Sequence, residues 1–118
     1  MAITGIDTHD PEQDGFAPKL PPGAHACVIV RALTKRKDGT LYTTKNGERK
    51  VSVIVANRDG CEAFYDAPIE GPRSGMFLSL LKAVGLSDSA LASMNAEDFL
   101  SQDVADRYLV GKPVAATV

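Results

Sequence analysis

Two runs of β-branched residues, separated by two turn signals, constrain the fold of this chain more than any other feature. The runs lie at positions 28–30 and 51–55, and runs of this kind bounded by Gly, Asn and Asp are typical of β-strands. Asp-Gly at 38–39 and Asn-Gly at 46–47 lie between them. Such pairs adopt positive φ at little cost, which suits tight hairpins. The stretch 24–66 is therefore predicted to be a β-meander.

The alternation of side chains assigns two faces to each strand of this meander. The first strand should cover about residues 25–33, with a wholly apolar set facing the core and Arg31 on the opposite face. That apolar set is Ala26, Val28, Val30 and Ala32. Further strands are predicted at about 40–44, 49–57 and 61–65.

In the C-terminal half, the apolar period changes from two to about 3.6, which indicates helices. Ser74 and Gly85 are the predicted N-cap and C-cap of an amphipathic helix. A second helical region should begin near Asn95. Residues 113–118 have the pattern of a strand exposed at the edge of the sheet. Because exposed edges attract partners, we expect a homodimer.

Residues 1–22 form a predicted extended, acidic N-terminal arm, and residues 23–118 form the domain that follows it. The arm is rich in Pro and Gly, carries four acids against one lysine and shows no periodicity. We expect Phe16 or Leu20, or both, to pin the arm onto the sheet.

The composition is that of one soluble globular domain, with 118 residues of which 44% are hydrophobic and 24% charged. No apolar stretch is long enough to cross a membrane, and the N-terminus lacks the regions of a secretory signal, so a cytoplasmic location is expected. In that compartment Cys27 and Cys61 are predicted to be reduced core residues rather than a disulfide.

The sequence offers little from which a catalytic or metal site could be built. His25, Cys27 and Cys61 could come together, but structural zinc needs a fourth ligand and no motif supplies it. The histidines stand in no pattern typical of catalysis, and the glycines at 71 and 75 fit no phosphate-binding loop. We therefore expect no enzymatic activity, no metal and no cofactor.

The meander holds an unusual concentration of charge, with seven basic and two acidic residues at 31–50 in a chain of net charge −2. The basic residues are Arg31, Lys35, Arg36, Lys37, Lys45, Arg49 and Lys50. A curved sheet can offer such charges to phosphates and aromatic rings to bases, and the candidate rings are Tyr42, Phe64 and Tyr65. The alternative is that the lysines only solubilise hairpin turns and that the rings belong to the core.

The order of four segments resembles a known family. The segments are LPPGAHACVIVRALTKRKDG, ERKVSVIVANRDGCEAFYD, SGMFLSLLKAVGL and LVGKPVAATV. In this order they are similar to the phage replication-module family of single-stranded DNA-binding-like proteins, which are small OB-fold domains. The resemblance covers about residues 16–118.

This resemblance implies a β-rich α+β fold, an OB-like Greek-key barrel with one amphipathic helix between strands. It also implies that the basic hairpins at 35–37 and 45–50 form the binding surface. The family's last strand pair has no counterpart, because the sequence stops at Val118. A truncated chain, divergence within the family and completion of the barrel by a second subunit all remain open.

The expected function is sequence-tolerant binding of single-stranded DNA in phage or prophage replication or recombination, with phage or host replication proteins as further partners. The alternative is an OB-like protein-interaction module that docks a host or phage partner without binding nucleic acid. A cluster of the basic residues on one concave face, with an aromatic ring among them, favours nucleic acid. Scatter around hairpin tips beside an exposed apolar patch favours the interaction module.

Overall fold

The computed structural model of the protein describes residues 2–3, 18–36 and 38–118. Its strands, numbered in chain order, are β1 (Ala2–Ile3), β2 (Ala24–Leu33), β3 (Lys50–Ala56), β4 (Glu62–Pro68) and β5 (Pro113–Thr117). Strands β2 to β5 form a curled, antiparallel half-barrel sheet in the order β5-β2-β3-β4, and β1 pairs with β5 in parallel. The predicted third and fourth strands are confirmed as β3 and β4, although β4 continues beyond its predicted end.

The helices in the described part of the chain lie between β4 and β5. They are α1 (Gly75–Ala83), α2 (Asp88–Ala92), a 3-10 helix (Ala96–Leu100) and α3 (Gln102–Leu109). The protein is therefore a small α+β fold, as predicted, with three α-helices in the described residues where the resemblance implies one. The predicted second helical region near Asn95 is confirmed as the 3-10 helix, whose N-cap is Asn95, followed by α3. At five residues α2 is too short to leave a periodic signal in the sequence. Among the described residues, no helix is both long enough and apolar enough to cross a membrane.

Helix α1 confirms the predicted amphipathic helix. Ser74 holds the N-cap position, and the apolar face buries Phe77, Leu80 and Leu81. The helix ends at Ala83 and its C-cap is Val84, one residue before the predicted cap, and Gly85 follows with a φ of 97°. This is the left-handed conformation in which glycine commonly ends a helix.

Strand β2 contains a β-bulge. Ile29 pairs with Val55 while Arg31 pairs with Ile54, so that Val30 is an extra residue in β2. Because the faces of a strand alternate with each residue, one extra residue exchanges the two faces beyond it.

The bulge makes the predicted core-facing set of β2 largely wrong. Before the bulge it is Cys27 and Ile29 that are buried, and only beyond it does the predicted residue Ala32 face the core. The predicted core residues that are instead exposed are Ala26, Val28 and Val30. Val28 and Val30 are 42% and 39% exposed, which leaves an apolar strip on the outer face of the sheet.

The N-terminal segment pairs with both outer strands of the sheet. At one side β1 pairs with β5, so the prediction that residues 113–118 form an exposed edge is wrong. At the other side Lys19 and Glu62 form a parallel bridge, in which the Glu62 N–H donates to the Pro18 carbonyl at 2.7 Å. Without a free edge at β5, the argument for a homodimer loses its structural basis.

Leu20 is buried, which confirms that it pins the arm onto the sheet. Its backbone N–H donates to the Glu62 carbonyl at 3.0 Å. A backbone hydrogen bond and a buried side chain therefore both attach Leu20 to the sheet. Phe16 and the acidic run at 7–14 lie outside the described residues.

The core lies between the sheet and the helices. Phe99 of the 3-10 helix is 1% exposed, and its ring meets that of Phe77 edge-on with 5.2 Å between centroids. Gln102 joins α3 to β2, because its Nε2 donates to the Ala32 carbonyl at 2.7 Å and its Oε1 accepts from the buried Thr34 hydroxyl at 3.0 Å. These polar contacts fix the end of β2 from which the basic connection departs.

Candidate nucleic-acid interface

The connection between β2 and β3, residues 34–49, carries most of the predicted binding residues. It contains the two predicted turns, with φ values of 89° at Gly39 and 83° at Gly47. In the first turn the Asp38 carboxylate accepts hydrogen bonds from the Thr40 N–H and hydroxyl at 2.9 and 2.7 Å. These bonds, with a smaller contribution from nearby Arg36, lower the pKa of Asp38. The turn is therefore held by hydrogen bonds of its own.

The predicted strand at 40–44 is present only as two isolated bridges. Leu41 pairs with Lys35, and Thr43 pairs with Arg49. The Tyr42 N–H donates to the Thr34 carbonyl at 3.3 Å, and its carbonyl accepts from the Lys50 N–H at 3.1 Å. The backbone of Tyr42 thus lies between the end of β2 and the start of β3, where both strands position it.

Arg36 lies over the ring of Tyr42, with 5.2 Å between the guanidinium carbon and the ring centroid. Arg36 is exposed and Tyr42 is half-buried. A guanidinium this close to a ring centroid is a cation–π contact, and it places a positive charge beside an aromatic ring on which a base could stack.

Three further cations from the predicted set, Arg31, Lys35 and Lys45, are exposed. Arg31 and Lys35 are four residues apart, an even spacing that places them on the same side of the extended chain, about 13 Å apart at about 3.3 Å per residue. Lys45 lies in the second turn of the connection. Lys37 lies outside the described residues.

Arg49 belongs to an ion-pair network rather than to an open cationic surface. Its Nε and Nη2 donate to the two carboxylate oxygens of Glu70 at 3.1 and 2.9 Å, and Nη2 also reaches Glu97 at 3.1 Å. The hydrogen bonds from Arg49 lower the pKa of Glu70 to about 2. Those same bonds raise the pKa of Arg49 further above its ordinary value. Arg49 joins the start of β3 to the segment after β4 and to the 3-10 helix.

Lys50 is also neutralised. Its ammonium donates to the Asp66 carboxylate at 2.9 Å, and its side chain is only 16% exposed. The Ser52 hydroxyl donates to the other oxygen of the same carboxylate at 2.5 Å. With its charge balanced and its side chain covered, Lys50 fits a structural role better than phosphate binding.

Two of the three predicted stacking rings are buried. Tyr65 is 3% exposed in the core, and its hydroxyl donates to the Met76 carbonyl at 3.0 Å. Burial raises the pKa of Tyr65. Phe64, on the opposite face of β4, is 9% exposed and lies across from Ile54. Neither ring offers a face to a base, so their predicted stacking role is wrong and only Tyr42 remains.

The three residues considered as metal ligands, His25, Cys27 and Cys61, each have a different environment in the structure. The His25 Nε2 donates to the Pro21 carbonyl at 2.8 Å, Cys27 is buried and Cys61 is half-buried. Burial raises the pKa of the Cys27 thiol. Across residues 18–36 and 38–118, no three His, Cys, Asp or Glu side chains lie close enough to hold a metal ion.

Sequence reasoning missed the two acids that neutralise Arg49 and Lys50. The antiparallel register of β3 and β4 contains the signal, because it places Ser52 opposite Asp66 and Lys50 opposite Pro68. Acids at 66 and 70 therefore fall beside the basic start of β3. The sequence alone does not show that these acids lie near Arg49 and Lys50, because that proximity depends on the register of β3 against β4.

Comparison with known proteins adds no relative from which a role could be transferred. No protein-family model matches the sequence, and no curated protein is significantly similar to it.

Proposed function

We propose that the half-barrel is an OB-like fold whose β2–β3 connection binds single-stranded nucleic acid, with single-stranded DNA as the expected ligand. The connectivity supports the fold assignment: β2, β3 and β4 follow one another, and β5 returns after the helices to pair with β2. A meander whose fourth strand returns beside its first is a Greek key. The N-terminal segment pairs with both outer strands, which is the role of the closing strand in a complete barrel.

The observation that carries the proposed function is the Arg36–Tyr42 stack, in a stretch of the chain that also holds the exposed cations Arg31, Lys35 and Lys45. In OB folds the loop between the first two barrel strands is one of the elements that bind oligonucleotides. In this chain the β2–β3 connection occupies that place. Phosphates would be bound by the cations, and a base would stack beside the guanidinium and ring, which requires no particular sequence.

Arg49 and Lys50 are paired with acids, which leaves five of the seven predicted cations for the proposed interface, four of them exposed and Lys37 outside the described residues. If all five contact phosphates, the logarithm of the affinity should fall with the logarithm of salt concentration with a slope of about −3.5. Contacts from all seven cations would give a steeper slope, of about −5. The slope therefore tests the revised residue set as well as the mechanism.

The experiment is fluorescence anisotropy of a labelled oligo-dT of about 30 nucleotides, beside a duplex of the same length, at several salt concentrations. A double variant, Lys35→Glu with Arg36→Glu, should weaken single-strand binding by at least about a hundredfold. Arg58→Glu is the matched control, because Arg58 is exposed in the β3–β4 turn. The length of β3 separates this turn from the β2–β3 connection by about 20 Å. Absence of binding at low salt, or equal losses in both variants, would overturn the proposal.

The second candidate function, a protein-interaction module, is favoured by a different observation. Val28, Val30 and Leu78 are the large apolar residues that remain exposed among those described, at 42%, 39% and 43%. Exposed apolar residues at a groove or on a sheet face are typical of interaction sites. The interaction module becomes the primary function if the oligonucleotide does not bind at low salt.

A further inference from the structure

Helices α1 and α2 and the 3-10 helix border an open apolar cleft of about 310 Å³. Its walls come from α1, α2 and the 3-10 helix, through Leu78, Leu81, Leu91, Met94 and Phe99. Leu78 is 43% exposed although it belongs to a well-formed amphipathic helix. Its exposed side chain extends the apolar wall of the cleft onto the surface, and burial of that side chain by a partner would be favourable.

A second depression of about 610 Å³ lies next to this cleft, between the 3-10 helix and α3. Met94 and Phe99 line both depressions, so the two are neighbours, and we call them together the helical groove. The second half is more polar and is lined by Glu97, Asp98 and Arg107 beside Val104. The helical groove is thus apolar at one end and charged at the other.

Acids predominate around the helical groove, although Arg107 also lines its polar half. Residues 88–106 contain five acids and no lysine or arginine, and all five are exposed. They are Asp88, Glu97, Asp98, Asp103 and Asp106. Arg49 offsets part of this charge through its contact with Glu97. A phosphate backbone would be repelled here, so the groove is not an extension of the proposed nucleic-acid interface.

We propose that the helical groove binds a basic amphipathic helix of a partner protein. Leucine-type side chains of that helix would fill the apolar half, and its lysines or arginines would face the acids of 88–106. Grooves with adaptable Met side chains commonly receive the apolar face of a helix in this way. Charge complementarity would speed association and select against acidic helices.

The test uses two labelled peptides of about 18 residues with identical leucines at helical spacing, one with lysines and one with glutamates at the remaining polar positions. In fluorescence anisotropy, the lysine peptide should bind the full-length protein at least about tenfold more tightly than the glutamate peptide. Leu78→Lys should weaken that binding at least about tenfold. Val28→Lys is the matched control, because Val28 is equally exposed but lies on the sheet, and it should leave binding unchanged.

The methionine methyl signals in NMR spectra test independently where on the protein the lysine peptide binds. The Met94 signal should shift on addition of the lysine peptide, because Met94 lines both halves of the helical groove. Equal binding of both peptides, an unmoved Met94 signal, or equal losses in Leu78→Lys and Val28→Lys would each overturn the proposal. Circular dichroism of both variants establishes that they are folded before binding is compared.

Discussion

Arg49 and Glu70 are joined by three hydrogen bonds to one carboxylate. Glu70 Oε2 accepts from the Arg49 backbone N–H at 2.8 Å and from Nε at 3.1 Å, while Oε1 accepts from Nη2 at 2.9 Å. The pairing joins the first residue before β3 to the segment that follows β4, so it fixes the base of the β2–β3 connection. A charge held in this way contributes to the fold rather than to an open binding surface.

Replacement of Glu70 should reduce the sensitivity of the fold to acid. The pKa of Glu70 is lowered from 4.5 to about 2 in the folded protein. The ion pair therefore stabilises the fold fully above about pH 4.5 and loses its effect as the pH falls toward 2. The urea midpoint of the wild type should drop between pH 7 and pH 3, and Glu70→Gln should start lower and drop less. An identical drop in both proteins would contradict this reading, and Asp103→Asn, in an exposed position, is the control.

Truncation of Tyr42 should weaken binding of single-stranded DNA without removing it. Tyr42→Ala removes the ring beneath Arg36, and loss of a stacking platform costs about 1–3 kcal/mol of binding free energy. Tyr42→Phe keeps the ring and should bind nearly as well as the wild type. The same anisotropy titration at fixed salt measures both. Equal affinity for Tyr42→Ala and the wild type would exclude stacking at this position.

Tyr65 should behave as a core residue. Tyr65→Phe removes the hydrogen bond to the Met76 carbonyl, and we expect a loss of about 1 kcal/mol in the free energy of unfolding. Affinity for oligo-dT should stay unchanged, because the ring is 3% exposed. Urea denaturation and anisotropy on the same sample separate these two readouts. A loss of affinity with unchanged stability would restore Tyr65 to the binding site.

The strands and α1 could be predicted because their signals are local. The valines at 51–55 and the helical spacing of Phe77, Leu80 and Leu81 depend only on near neighbours in the sequence. The same is true of the turn at 46–47, where Asn-Gly favours positive φ. These elements lie at or near their predicted positions.

The candidate site was predicted less well, because whether each basic side chain is exposed or paired depends on contacts between residues that are distant in the sequence. Arg49 and Glu70 are separated by 21 positions, and Lys50 and Asp66 by 16. Only the register of β3 against β4 makes these pairs neighbours. The parallel pairing of β1 with β5 joins opposite ends of the chain, and no local pattern predicts such a contact.

The bulge in β2 is the last of these non-local features, and it gives the sharpest stability prediction. A single extra residue leaves the composition of a strand unchanged, so the alternation around 26–32 fits two opposite assignments of its faces. The structure buries Ile29 at 0% exposure and leaves Val30 at 39%. Ile29→Ala should therefore cost about 2–5 kcal/mol in the free energy of unfolding, whereas Val30→Ala should cost less than about 1 kcal/mol. Urea denaturation measures both, and a larger loss for Val30→Ala would mean that Val30 faces the core after all.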